Sequence, residues 1–86
     1  MMNIIEISGE IQRADQRLQQ HADRITRQSQ SICEVMQNIQ SAFGDQNSGQ
    51  MAVMALNNAI ESCSRADSTL YRARNQLNEL MQSLSK

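Results

Sequence analysis

Proline and tryptophan are missing from the 86-residue chain, and its aromatics number two, Phe43 and Tyr71. A core drawn from this composition is aliphatic, which excludes most β-sandwich and aromatic-cage recognition folds. Cysteine occurs only at Cys33 and Cys63, too few for a disulfide framework. No apolar run approaches the roughly 18 residues that a membrane span needs. The opening MMNIIEISGE carries neither a basic leader nor a cleavage site. A soluble chain, cytoplasmic at synthesis and outside the ordinary Sec route, is the expectation. One sign of charge is also missing in excess: eight Lys and Arg against nine Asp and Glu leave a net charge of −1. The basic residues are scattered along the sequence, without the footprint of a nucleic-acid or anionic-membrane binder. At 9.7 kDa the chain is one small domain or half of a larger assembly.

What is present is periodicity. Steps of seven from Ile4 give Ile4, Ile11, Leu18, Ile25, Ile32 and Ile39, an unbroken aliphatic a position over six heptads. The matching d position runs Ile7, Ala14, His21, Gln28, Val35 and Ala42. Where it weakens, the neighbouring e position supplies Ala22, Ser29, Met36 and Phe43. A second series places Leu56, Cys63, Leu70, Leu77 and Leu84 at a and Ala59, Ala66, Ala73 and Leu80 at d, with Ile60 and Met81 at e. Two long amphipathic helices follow. Between them Gly44-Asp45-Gln46-Asn47-Ser48-Gly49 is the one cluster of turn formers.

The predicted fold is all-α: a single antiparallel two-helix hairpin, helix one over about 8–43, a turn over 44–48 and helix two over about 49–83. Phe43, Gly44 and Gly49 mark the turn. Gly44 is expected in the left-handed conformation that closes a helix, and Asn47 with Gln50 has the spacing of an N-cap and its reciprocal partner. Asn3 and Ser8 each open a segment that reads as a helix start. The β-branched Ile4, Ile5 and Ile7, with Gly9 at roughly 1 kcal/mol below Ala in a helix, favour Ser8 and an extended segment before it. Lys86 suits the negative end of the second helix. Asp23 with Arg27 and Glu61 with Arg65 stand as acid-before-base pairs at i,i+4 on exposed faces.

Two such helices bury one narrow seam, while the apolar residues spread beyond it. A hairpin of this kind is expected to be completed by a partner, most simply as a four-helix bundle. Candidate interface residues are Leu18, Ile25, Ile32, Met36, Ile39 and Phe43 on helix one and Leu56, Ile60, Leu70 and Leu77 on helix two. Several of these must also hold the hairpin together. Ala59, Ala66 and Ala73 thin the second helix along one line, which admits another helix closely. His21 and Gln28 either lean out to water at the edge of the seam or fix register and partner from within it. Met36, Met51, Met54 and Met81 lie on or near the stripe, as gap-fillers or as an adaptable binding surface. Folding the chain about residues 46–47 brings Cys63 opposite about residue 30. The two thiols read as small hydrophobes in a reducing compartment, with a disulfide after export or a reactive role as alternatives.

No catalytic constellation emerges: no Gly-rich phosphate loop, no Cys-x-x-Cys and no His-Glu-x-x-His. The single His21 lacks a ligating neighbour on its face. The expectation is a non-enzymatic protein with no metal and no cofactor, acting through protein contacts.

Helix, short Gly-containing turn and helix in under a hundred residues resembles the WXG-type (Esx-like) family of small type VII secretion proteins. The family's Trp-x-Gly turn motif has its counterpart in Ala42-Phe43-Gly44-Asp45, with Phe for Trp and the Gly adjacent. Its Tyr-x-x-x-Asp/Glu export signal has its counterpart in Tyr71 and Asn75, the size kept and the charge lost. That departure speaks against autonomous export. In length and style the chain is similar to the LXG-toxin-associated (Lap) partners, WXG-like hairpins of Gram-positive bacteria. The resemblance implies that the hairpin binds the helical N-terminal region of an LXG toxin and helps present it for signal-peptide-independent export. The alternative from another class is a self-assembling helical subunit, or a homodimeric adaptor unrelated to secretion.

Overall fold

The computed structural model describes residues 3–84. Two helices, α1 (Ile4–Phe43) and α2 (Asn47–Leu84), fold back on each other as an antiparallel hairpin. The chain is a rod of 62 × 18 × 14 Å. Its radius of gyration, 19.3 Å, compares with about 12 Å for a compact domain of this length. Hence the rod has little interior. The a positions from Ile11 to Ile39 and from Leu56 to Leu84 are half-buried or better, as the heptads require. Ile11, at 7 % exposure, is the one buried hydrophobic side chain among the described residues.

The start of α1 corrects the sequence reading. Asn3, not Ser8, is the N-cap: its backbone is extended (φ −88°, ψ 172°) and its Oδ1 accepts from the Glu6 N–H at 2.8 Å. The Asn3 carbonyl accepts from the Ile7 N–H at 3.0 Å. Glu6 falls in the first turn, where the helix dipole favours an anion. The cap and the placing of Ile7 on the seam outweigh the cost of Gly9 inside the helix.

The turn is also built differently from the expectation. Gly44 has αR geometry (φ −64°, ψ −21°), and its N–H donates to the Gln40 carbonyl at 3.0 Å. No described residue has positive φ. The chain reverses instead through paired bonds, Gln46 N–H to the Phe43 carbonyl and Gln50 N–H to the Gln46 carbonyl, each 3.0 Å. Gln50 is not the reciprocal partner of Asn47; its Nε2 donates to the Gly44 carbonyl at 3.2 Å. Gly49 is buried against Phe43. A Cβ there would stand 2.0 Å from the Phe43 carbonyl oxygen, so the close approach of the two helices sets the glycine.

The ion pairs among the described residues are Arg13 with Glu10 and Arg74 with Asp15. The expected Asp23–Arg27 and Glu61–Arg65 pairs are not formed. Asp23 accepts from Gln19 Nε2, and Arg65 donates to the Ser62 hydroxyl. These are alternatives at i,i+4 and i,i+3 spacing, of comparable small worth on an exposed surface. Lys86 lies outside the described residues.

Candidate interaction surface

The heptad positions sort the rod into a seam and two flanks. Groove-lining residues show which flanks lie together. Gln12, Asp15 and Gln16 of α1 line one groove of ≈ 570 Å³ with Tyr71, Arg74 and Asn78 of α2. Thr26, Ser29 and Gln30 line a shallower hollow with Cys63, Ser64 and Asp67. These are the e sides of both helices, so the d sides lie together on the opposite flank.

The e flank is the better covered of the two and carries a polar link between the helices. Arg74 Nε donates to Asp15 Oδ1 at 2.8 Å and Nη2 to Oδ2 at 3.3 Å, while Nη1 donates to Gln19 Oε1. The guanidinium so ties α2 to two successive turns of α1. Hydrogen bonding from Arg74, with its charge adding to the effect, holds the Asp15 carboxyl below its ordinary 3.8, and Asp15 in turn raises Arg74. A carboxyl depressed by folding contributes stability above its unfolded pKa and loses it as pH falls through the folded value. Acid titration by circular dichroism is therefore expected to show a loss of stability below about pH 4 that Asp15→Asn removes. An unchanged acid limb in Asp15→Asn would assign the loss to other carboxylates.

Asp15, Gln19 and Arg74 were not among the sequence candidates. Their signal was present: Asp15 and Arg74 are opposite charges at e, a position where interhelical pairs form. Which acid meets which base depends on how the helices are staggered. The structure sets Asp15 beside Arg74, with Ile11 and Asn78 lining one groove and Gln30 and Cys63 the shallower hollow.

The d flank is the more exposed of the two, with small apolar residues on either side of a polar centre. Val35 is 48 % and Leu80 46 % exposed, and Ala42 and Ala66 are exposed on the same flank. His21 and Gln28 both stand exposed on this flank, the outward of their two expected placements. From Ser64 to Thr69 every residue of α2 is exposed. The rod is least sealed at its waist, where Ala66 is too small to cover the seam.

Of the candidate interface residues, Leu18, Ile25, Ile32, Met36, Ile39, Leu56, Ile60, Leu70 and Leu77 are all half-buried. They form the seam, with an edge of each left to solvent. Phe43 stands apart at the turn, 49 % exposed. Tyr71, 68 % exposed, and Asn75 line the same groove one helical turn apart. The methionines divide: Met36 and Met81 are on the seam, but Met51 and Met54 point away from it. Their positions fall on the outer face of α2, between the heptad positions that pack. Cys33 and Cys63 are free thiols, each half-buried. No helix of the described residues is long and apolar enough to cross a membrane. No family model matches the chain, and no curated protein and no solved structure matches it.

Proposed function

We propose that the chain is a small WXG-like type VII secretion protein that binds helical segments of a client, such as the N-terminal region of an LXG toxin, and helps target it for export. The observation that carries this reading is a 62 Å rod with a single buried hydrophobic side chain among the described residues and with Val35 and Leu80 nearly half exposed on one flank. Apolar client helices laid along that flank extend the hairpin into a bundle, giving the half-buried Ile and Leu edges the cover they lack. The work is done by packing, not by chemistry. Tyr71 and Asn75 then supply a readable mark on the other flank, so that client and signal do not compete. In this reading the protein is made in the cytoplasm and leaves by a signal-peptide-independent route.

The test is co-expression with long helical or LXG proteins encoded beside it, then affinity purification and size-exclusion chromatography with light scattering. A discrete complex is expected, lost on changing Ile32 and Ile39 to Asp while the free chain stays helical. Val35→Asp on the exposed flank is the milder variant and is expected to weaken the complex at least tenfold. A chain that ignores those neighbours overturns the targeting reading in favour of a homodimeric adaptor or a self-assembling subunit.

A further inference from the structure

The arginines are scattered along the sequence, but the register of the two helices gathers them. At 3.6 residues per turn, positions g and c follow d around each helix, while b and f follow e on the other side. Over the central stretch of the rod, residues 11–33 and 57–78, Arg13, Arg17, Arg24, Arg27, Arg65 and Arg72 all fall at c or g. The carboxylates of the same stretch, Asp15, Asp23, Glu61 and Asp67, all fall at e or f, and the remaining arginine, Arg74, is paired with Asp15 among them. The d flank is thus rimmed by six arginines and no carboxylate there; Glu6, Glu10, Glu34 and Glu79 stand at the two ends of the rims. All six arginines are exposed. Arg13 pairs with Glu10, but Arg17, Arg24, Arg27 and Arg72 have no hydrogen bond or ion pair among the described residues. Arg27 and Arg65 each follow a carboxylate by four residues without pairing to it. Arg24 and Arg27 instead line a hollow with Gln28 and Ile32, and Arg65 donates to the Ser62 hydroxyl at g. The two rims are also in register. With Asp15 beside Arg74, Arg17 is level with about Arg72 and Arg24 with about Arg65, two pairs roughly 10 Å apart along the rod.

We infer that the d flank takes an acidic amphipathic helix, its apolar stripe laid over Ala59, Ala66 and Ala73 and edged on both sides by Asp or Glu at heptad spacing. This names the chemistry of the client in the targeting reading and rests on that reading. In helical bundles the residues beside the packed stripe choose the partner by charge. A rim of one sign rejects a basic helix as it accepts an acidic one. A second copy on this flank would set arginine rim against arginine rim. His21 and Gln28, exposed on the same flank, add donors that a carboxylate accepts. Other anionic partners match less of the surface. A nucleic-acid strand gains from aromatic side chains on which its bases stack, and Phe43 and Tyr71 stand at e and b, off this flank. A lipid surface takes up large apolar side chains set among basic ones, where the waist of this flank has alanines. A line of alanines suits a helix, whose axis can come close where the side chains at the contact are small.

The test uses the full chain and three synthetic helices of about four heptads that share Leu at a and d and carry Glu, Gln or Lys at e and g. Like charges at those positions keep the Glu and Lys peptides from pairing with themselves. By fluorescence anisotropy at low salt the Glu peptide is expected to bind roughly tenfold more tightly than the Gln peptide, and the Lys peptide more weakly than either. Raising NaCl from about 50 to 500 mM is expected to remove most of that difference. Arg17→Gln with Arg24→Gln is expected to weaken the Glu peptide about tenfold, with helicity unchanged because neither arginine has a partner in the hairpin. Changing Arg17, Arg24, Arg65 and Arg72 each to Glu is expected to transfer the preference to the Lys peptide. Glu61→Gln with Asp67→Asn, on the e side, is expected to leave the order of the three peptides unchanged. Equal binding of the Glu and Lys peptides, or no response to the arginine changes, overturns the inference. Tighter binding of a single-stranded oligonucleotide or of phosphatidylserine vesicles than of the Glu peptide also overturns it, in favour of nucleic acid or lipid. Client capture is read separately: a co-expressed client held indifferently to these arginines fails this inference alone, and a Glu peptide bound while every co-expressed neighbour is ignored fails the targeting reading alone.

Discussion

Gly49→Ala is expected to lower the melting temperature by about 10–20 °C, although alanine is the better helix former by roughly 1 kcal/mol. The new Cβ would sit 2.0 Å from the Phe43 carbonyl oxygen and 2.8 Å from the Phe43 Cβ. Neither atom is the end of a flexible side chain. The carbonyl also accepts the Gln46 N–H that starts the reversal, so moving it undoes the turn. Overpacking of this kind costs about 1–3 kcal/mol in ordinary cores and more when backbone must shift. Gly9 is the control within the same chain. A Cβ there meets only the Arg13 guanidinium, at 3.5 Å, an ordinary contact. Gly9→Ala is therefore expected to raise stability by about 0.5–1 kcal/mol. Thermal melts of the two variants followed by circular dichroism should move in opposite directions. If Gly49→Ala melts at or above the parent temperature, the close approach of α2 to Phe43 is not what holds the turn.

The same pair of glycines shows what the sequence could and could not disclose. The two helices were legible because six consecutive Ile or Leu at a leave no other register for α1, and the only glycine-rich cluster falls where the second register begins. The start of α1 was not. Asn3 and Ser8 are chemically equivalent as caps, and local propensity favoured the later one. The decision came from tertiary packing, which rewards bringing Ile7 onto the seam. Gly44 and Gly49 were both legible as turn residues but not by role. A glycine required by close approach looks the same in sequence as one required by a left-handed backbone, and here Gly49 is the former while Gly44 stays αR.

The interaction surface was legible as a stripe and not as a face. Heptad letters name d and e as neighbours of the seam without saying which is sealed. The Arg74–Asp15–Gln19 link joins the helices on the e side, and that follows only once the stagger of the helices is known. The exposed Val35 and Leu80, not the half-buried Ile32 or Leu70, then mark the open side. Met51 and Met54 were placed on or near the stripe, and their spacing from Leu56 leaves them outside it, 62 % and 67 % exposed. An aliphatic flank specifies length, spacing and apolarity but carries no chemical signature of what would cover it.

The second large effect is expected at Ile11. As the one buried hydrophobic side chain among the described residues, it packs near the open end, beside Leu77, Asn78 and Met81. Ile11→Ala is expected to cost about 2–4 kcal/mol, the transfer of three methyl or methylene groups plus the gap they leave. Ile5→Ala should cost almost nothing, because Ile5 is 83 % exposed. The loss at Ile11 is local in a rod. Contacts near the turn, where Gly49 meets Phe43, do not touch it, so the ends of both helices should open before the turn does. Amide hydrogen exchange reads this directly: protection is expected to fall at residues 4–18 and 73–84 and to hold at 36–60. A uniform loss of protection would mean that the hairpin unfolds as one unit and that its stability is not divided along its length. The distinction bears on function, since an end that opens by itself offers Leu77 and Met81 to a partner before the rest of the seam is exposed.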